Sequence, residues 1–164
     1  MRTTYQILDE PTPSAWARFT VDPFWIFFGA MLAGGWLAWP WFVLNAIAIG
    51  SATRRREIGF VLAGVVGAVI LAVAVAFSLG LGLLSKSALP YAMIAFPVWR
   101  LLVAYKLHAL QASSFELHQY FSRPVFNGGV VVMVGAFLVR PRLVEGIYAV
   151  NDGWWDLLLL GLVL

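Results

Sequence analysis

The 164-residue chain is 62% hydrophobic and only 12% charged, with a mean hydropathy of +0.85. Soluble proteins are about half apolar and a quarter charged, so this composition excludes an ordinary soluble domain. Eleven Lys and Arg against eight Asp and Glu give a net charge of +3, and these charges lie mostly between apolar runs, where orientation and lipid contact account for them without nucleic acid. The absence of cysteine excludes disulfides, thiolate nucleophiles and thiolate metal sites. The apolar runs are continuous rather than alternating, which argues for helices over an outer-membrane barrel. The expected fold is all-α, a polytopic membrane helical bundle of about four spans forming one membrane domain over residues 1–164.

Residues 1–22 contain no apolar stretch of signal-peptide type. They read as an interfacial arm in which Ser14 could cap a short turn carrying Trp16 and Phe19. Asp22-Pro23 marks a helix start, with Asp as N-cap and Pro at the first helical position, where its missing N–H is not needed.

The first expected span, residues 24–49, is kinked or broken at Pro40, which removes the hydrogen bond to the Trp36 carbonyl. Trp36, Trp39 and Trp41 flank this point. Tryptophan prefers the membrane interface, yet in a straight span these three would sit near mid-depth. Either the segment is broken or re-entrant, or the indoles pack against a protein partner or a flat apolar ligand such as a quinone or pigment. Ala30, Gly34 and Ala38 form a small-residue stripe suited to helix packing, and Asn45 can hydrogen-bond across a helix pair. The stretch Phe28-Gly29-Ala30-Met31-Leu32-Ala33-Gly34-Gly35, followed by Asn45 and the basic turn at Arg54, resembles a pattern in small uncharacterised bacterial multi-span inner-membrane proteins. The resemblance covers about 30 residues. It implies a bacterial inner-membrane location and no activity.

Arg54-Arg55-Arg56-Glu57 is a compact basic turn, expected on the cytoplasmic side. Arg2, Arg18, Lys86, Arg140 and Arg142 are then expected opposite it, and Lys106 and Arg123 beside it, which gives an N-out chain. Residues 58–84 form the longest apolar run, 27 residues without a charge, reaching about 40 Å as a helix against a hydrocarbon core of about 30 Å. Gly64, Ala68, Ala72, Ala76 and Gly80 recur every fourth residue, a ladder that lets another backbone approach.

The third expected span, residues 89–107, carries Pro97 as a kink and Arg100 as an intramembrane charge. Such a charge costs about 2.5–3.5 kcal/mol on insertion scales and marks a functional candidate. Its expected partner is Glu57, Glu116 or a carbonyl near Pro97, unless it snorkels toward the Lys106 interface. Residues 108–123 read as an amphipathic connector restarted by a capping box, Ser113 with Glu116. His108 and His118 raise haem or metal, but their spacing fits no zinc signature. The fourth span, residues 125–139, is expected to end at Arg140-Pro141-Arg142. In the tail, residues 140–164, Asn151-Asp152-Gly153 signals a turn, and Trp154 and Trp155 open an apolar stub that either lies flat at the membrane interface or docks on a partner; the near absence of polar residues after Asp156 favours docking.

No G-x-S-x-G elbow, paired carboxylates or phosphate loop is present, so no catalytic or metal-ligating residues are assigned. The function expected is that of a non-catalytic accessory or scaffold subunit of a larger respiratory, photosynthetic or secretory membrane complex, whose partners are the lipid bilayer and other membrane subunits. The alternative is an oligomeric small-solute or ion transporter or channel. A membrane enzyme, or a haem- or quinone-binding protein, is less favoured.

Overall fold

The computed structural model describes residues 15–85, 87–121 and 123–150. Ser14, Trp154 and Trp155 lie outside these residues. A short 3-10 turn, Ala17–Phe19, leads into α1 (Pro23–Leu32) and α2 (Gly35–Ile49). Then follow α3 (Arg54–Gly80), α4 (Leu89–Met93), α5 (Ala95–Tyr120), α6 (Gly129–Val134), a π-helical turn (Gly135–Val139) and α7 (Arg140–Val150). The described residues are all-helical, with no strand beyond a single bridge between Val21 and Phe126. Two helical stretches are long and apolar enough to cross a membrane, Arg54–Gly80 and Leu89–Tyr120.

The segment 24–49 departs from the expected span. Asp22 caps α1 by accepting from the Phe24 amide at 2.8 Å, with Pro23 at the first position. The helix then stops after ten residues, at Ala33-Gly34, and not at Pro40. The Ala33 and Gly34 amides both donate to the Gly29 carbonyl, at 2.8 and 3.1 Å. Gly34 takes φ 104° and ψ −177°, a conformation open essentially to glycine alone. Gly34 is therefore the apex of a turn rather than a member of a packing stripe. The chain doubles back, so that Leu37 and Trp41 of α2 face Gly29 of α1 and Asn45 at the far end of α2 meets Val21 before α1. Pro40 sits inside an unbroken α2.

This hairpin puts the start of α1 and the end of α2 at one end of the molecule. Arg18 consequently lies at the same end as Arg54, Arg55 and Arg56, which corrects the expectation of opposite ends. Arg123 is there too, since the Phe126 amide donates to the Thr20 carbonyl at 2.7 Å.

The core lies where α3, α5 and the hairpin meet, around Ile26, Ala30, Ala38, Trp39, Phe42, Val61, Val103 and Leu107. A residue spacing of four exceeds the helical repeat of 3.6, so a four-step ladder turns about 40° per rung. Gly64, Ala68 and Ala72 are accordingly buried, Ala76 is half-buried and Gly80 is exposed. Gly64 meets Trp39 of α2 and Val103 of α5. At Gly67 a Cβ would overlap the Trp99 indole, whose N–H donates to the Gly64 carbonyl at 3.0 Å.

Two further expectations fail locally. Ser113 does not cap a new helix, because α5 runs without interruption from Ala95 to Tyr120 and the Ser113 hydroxyl bonds back to the Leu110 carbonyl at 3.5 Å. The connector at 108–123 is thus the continuation of the same helix. The discontinuity that Pro97 imposes falls at Ile94, between α4 and α5. Arg140-Pro141-Arg142 likewise does not end the last helix. Helical backbone continues from Gly129 to Val150 through the π turn, which widens the ladder just ahead of Pro141, the residue that has no N–H to give it.

Candidate functional site

At the end bearing the triple arginine, a chain of buried polar side chains fastens the hairpin to α3 and α5. The Asn45 amide nitrogen donates to the Gln111 side-chain oxygen at 2.9 Å, while the Asn45 oxygen accepts the Val21 amide at 2.9 Å. The Gln111 nitrogen donates twice, to the Phe42 carbonyl and to a Glu57 carboxyl oxygen, each at 2.8 Å. The other Glu57 oxygen accepts from Thr53 at 2.7 Å and from Ser51, and Ser51 approaches Ser114 of α5 at 3.3 Å. Gln111 is fully buried, and Asn45 and Glu57 are 1% exposed. Each hydrogen of the Gln111 amide has its own acceptor, as buried polar groups in a low dielectric require.

The opposite, deep end of the hairpin holds a different arrangement. A helix that stops inside a protein leaves its last carbonyls without partners. Here the Trp36 indole donates to the Ala33 carbonyl at 2.7 Å, and Arg140 donates to the Leu32 carbonyl at 2.8 Å. The cation of Arg140 also complements the negative end of α1. Arg100 of α5 is 7% exposed, and two of its three guanidinium nitrogens, Nε and Nη1, are buried with no hydrogen-bond partner. Arg140 is the charged group that acts on it electrostatically.

The partners expected for Arg100 are elsewhere. Glu57 is tied to Gln111, three helical turns along α5, and Glu116 is exposed. Among the described residues the sole ion pair joins Arg142 and Glu145, both largely exposed, at 3.7 Å.

The three tryptophans expected as a cluster diverge. Trp36 caps the hairpin tip, Trp39 is buried on Gly64, and Trp41 lines an apolar groove of about 600 Å³ with Trp16, Phe19, Leu44 and Phe126. His108 packs on Phe27, with ring centroids 5.8 Å apart. His118 is fully buried and its Nε2 pairs with the Pro124 carbonyl at 3.2 Å. Among the described residues no three His, Cys, Asp or Glu side chains converge as metal ligands would. No family model matches the chain, and no curated protein or solved structure matches it either.

Sequence reasoning singled out Asn45 and Arg100, assigned Glu57 to Arg100 where it belongs with Gln111, and missed Gln111 beside Asn45 and Arg140 beside the hairpin tip. Gln111 had a signal. It is spaced from Phe96, Arg100, Val103, Ala104, Leu107, Phe115 and His118 so as to share the buried face of α5. Arg140 had none, because the expected helix end at 140 removed it from the bundle.

Proposed function

We propose that the chain is an integral membrane protein of the bacterial inner membrane, a non-catalytic accessory or scaffold subunit of a larger membrane complex. In this reading Arg54–Gly80 and Leu89–Tyr120 cross the bilayer, and the α1–α2 hairpin dips in and returns. Ten residues of α1 reach about 15 Å, half of a hydrocarbon core, and a backbone turn at that depth is tolerable where protein donors cover its carbonyls. Arg18, Arg54, Arg55, Arg56 and Arg123 gather at one end, which this reading assigns to the cytoplasm. That placement turns the expected N-out chain into an N-in one.

The observation that carries the subunit role is the incomplete coverage of the α3 ladder. Its upper rungs are filled by Trp39 and Val103, whereas none of the described residues has a heavy atom within 4 Å of where a Cβ on Gly80 would stand. A small residue in an outward position is what a second transmembrane helix uses to approach closely. Gly80→Leu should strip partner subunits from the protein purified in mild detergent while leaving its thermal midpoint in place. Gly64→Leu should lower the midpoint itself. A wild-type protein of monomer mass by native mass spectrometry, with no co-enriched subunit, overturns the proposal.

One observation favours a transporter as a second reading: a half-length helix ends against Arg140, which acts electrostatically on the buried Arg100, as in carriers whose broken helices aim their ends at a substrate. Anion flux in proteoliposomes of the purified chain, abolished by Arg100→Leu, would distinguish it.

A further inference from the structure

A guanidinium has five N–H donors and cannot discharge by losing its proton. Burying it is costly unless its donors are met, and each unmet buried donor of a charged group adds to that cost. Arg100 is more than nine-tenths buried with Nε and Nη1 unmet. The charge that acts on it is of its own sign, the guanidinium of Arg140. A buried charge held beside a half-buried one of the same sign is stabilised by an anion between or beside them.

The surroundings supply more of the same sign. Arg140 spends its Nη1 on the Leu32 carbonyl at the hairpin tip, leaving its other nitrogens for a ligand. α2, a helix of 15 residues, starts at that same tip from Gly34 with no side chain capping its first amides. An uncapped helix start presents N–H groups and a partial positive charge. Trp36, by contrast, has its indole N–H directed to the Ala33 carbonyl, so the acceptors at the tip are covered and its donors are in excess.

We infer that the hairpin tip, between Arg100 and Arg140, is a binding site for a phosphate group. Phosphate fits better than a single carboxylate because it brings three or four acceptor oxygens and more than one negative charge to two guanidiniums and a helix start. The group can be the headgroup phosphate of an anionic lipid or a free phosphate ion, and both offer the same chemistry to these donors. The inference is independent of whether the chain has partner subunits.

The test uses the full chain, washed free of lipid in dodecyl maltoside and followed by its intrinsic tryptophan fluorescence on heating. Sodium phosphate is compared with sodium chloride at equal ionic strength, and phosphatidylglycerol with phosphatidylcholine in mixed micelles. A ligand at roughly ten times its dissociation constant should raise the wild-type midpoint by about 3–6 °C. Arg100→Gln and Arg140→Gln should lose that shift, and Arg55→Gln, an exposed arginine at the other end, should keep it. A response to phosphate and phosphatidylglycerol alike identifies a free-ion site that lipids also reach, and a response to phosphatidylglycerol alone identifies a lipid site.

A second signature separates ligand binding from a purely structural arginine. Without phosphate or lipid, Arg100→Leu should raise the midpoint by removing an unmet charge, and with ligand it should fall below wild type. Should Arg140→Gln fail to fold, Arg140→Lys, which keeps the charge without the planar fork, takes its place and should weaken the shift. The inference is overturned if wild type shows no shift beyond the chloride control, if Arg100→Gln shifts as wild type does, or if Arg100→Leu is destabilising to the same degree with and without ligand.

Discussion

Asn45 and Gln111, 66 residues apart in sequence, share a hydrogen bond of 2.9 Å in the interior of the molecule. Through it the returning arm of the hairpin, the long helix α5 and, by way of Glu57, the start of α3 become one unit. The hairpin cannot slide along α5 by a turn without parting this pair, so the depth of its tip beside Arg100 is set at the other end.

Gln111→Leu removes three hydrogen bonds and leaves Asn45 Nδ2, the Phe42 carbonyl and one Glu57 oxygen buried without their partner. Unmet buried groups cost about 1–3 kcal/mol apiece, part of which local relaxation recovers. A net loss of about 2–4 kcal/mol is expected, read as a lower midpoint in detergent unfolding. A second change at Asn45 to Leu should cost less than it does alone, because the two belong to one network. Additive losses would mean that the pair is not coupled.

Gly67→Ala should be destabilising by about 1–3 kcal/mol, the usual range for overpacking, since the new methyl would overlap the Trp99 indole. Trp99→Leu in the same chain should relieve most of that cost, while forfeiting the bond to the Gly64 carbonyl. Gly80→Ala, with open space around it, should change stability by less than about 0.5 kcal/mol. Thermal midpoints of the three variants decide the matter. Equal effects at Gly67 and Gly80 would contradict the packing described.

The hairpin makes a topological prediction that a spanning helix does not share. The chain has no cysteine, so single cysteines report without background. Arg18→Cys and Arg55→Cys should label with a membrane-impermeant maleimide from the same side of sealed vesicles, and Ser87→Cys from the other. Labelling of residues 18 and 55 from opposite sides would show that 24–49 crosses the bilayer.

How much of this was legible beforehand depended on the kind of signal. The long apolar run gives α3 directly, and Asp22-Pro23 gives the start of α1, because both are local. The break was misplaced because proline is the louder mark. Pro40 only removes one hydrogen bond within a helix that continues through it, whereas Gly34 allows a backbone angle at which the chain doubles back. Ser113 and Glu116 match a capping pattern, but a cap forms only if the preceding turn unwinds, and the burial of Gln111 and Phe115 on one continuous face prevents that. The arginine pair was half visible. Arg100 stands out in an apolar run, but its neighbour comes from a segment whose helix was expected to stop at Val139, just before Arg140, and instead continues to Val150. The tail around Trp154 and Trp155 lies outside the described residues.

The π turn at Gly135–Val139 acts as a phase shifter. It fits one extra residue into the helix, so everything after it is rotated by about 100° relative to an unbroken α-helix. Eight residues separate Val132, which is buried against Gly29 of the hairpin, from Arg140. In regular α-helix that interval would leave the two about 80° apart, and the extra residue brings them to within about 20°. Arg140 therefore points at the hairpin because of where one surplus residue was inserted, and a change in chain length, rather than in side chain, is what would turn it away.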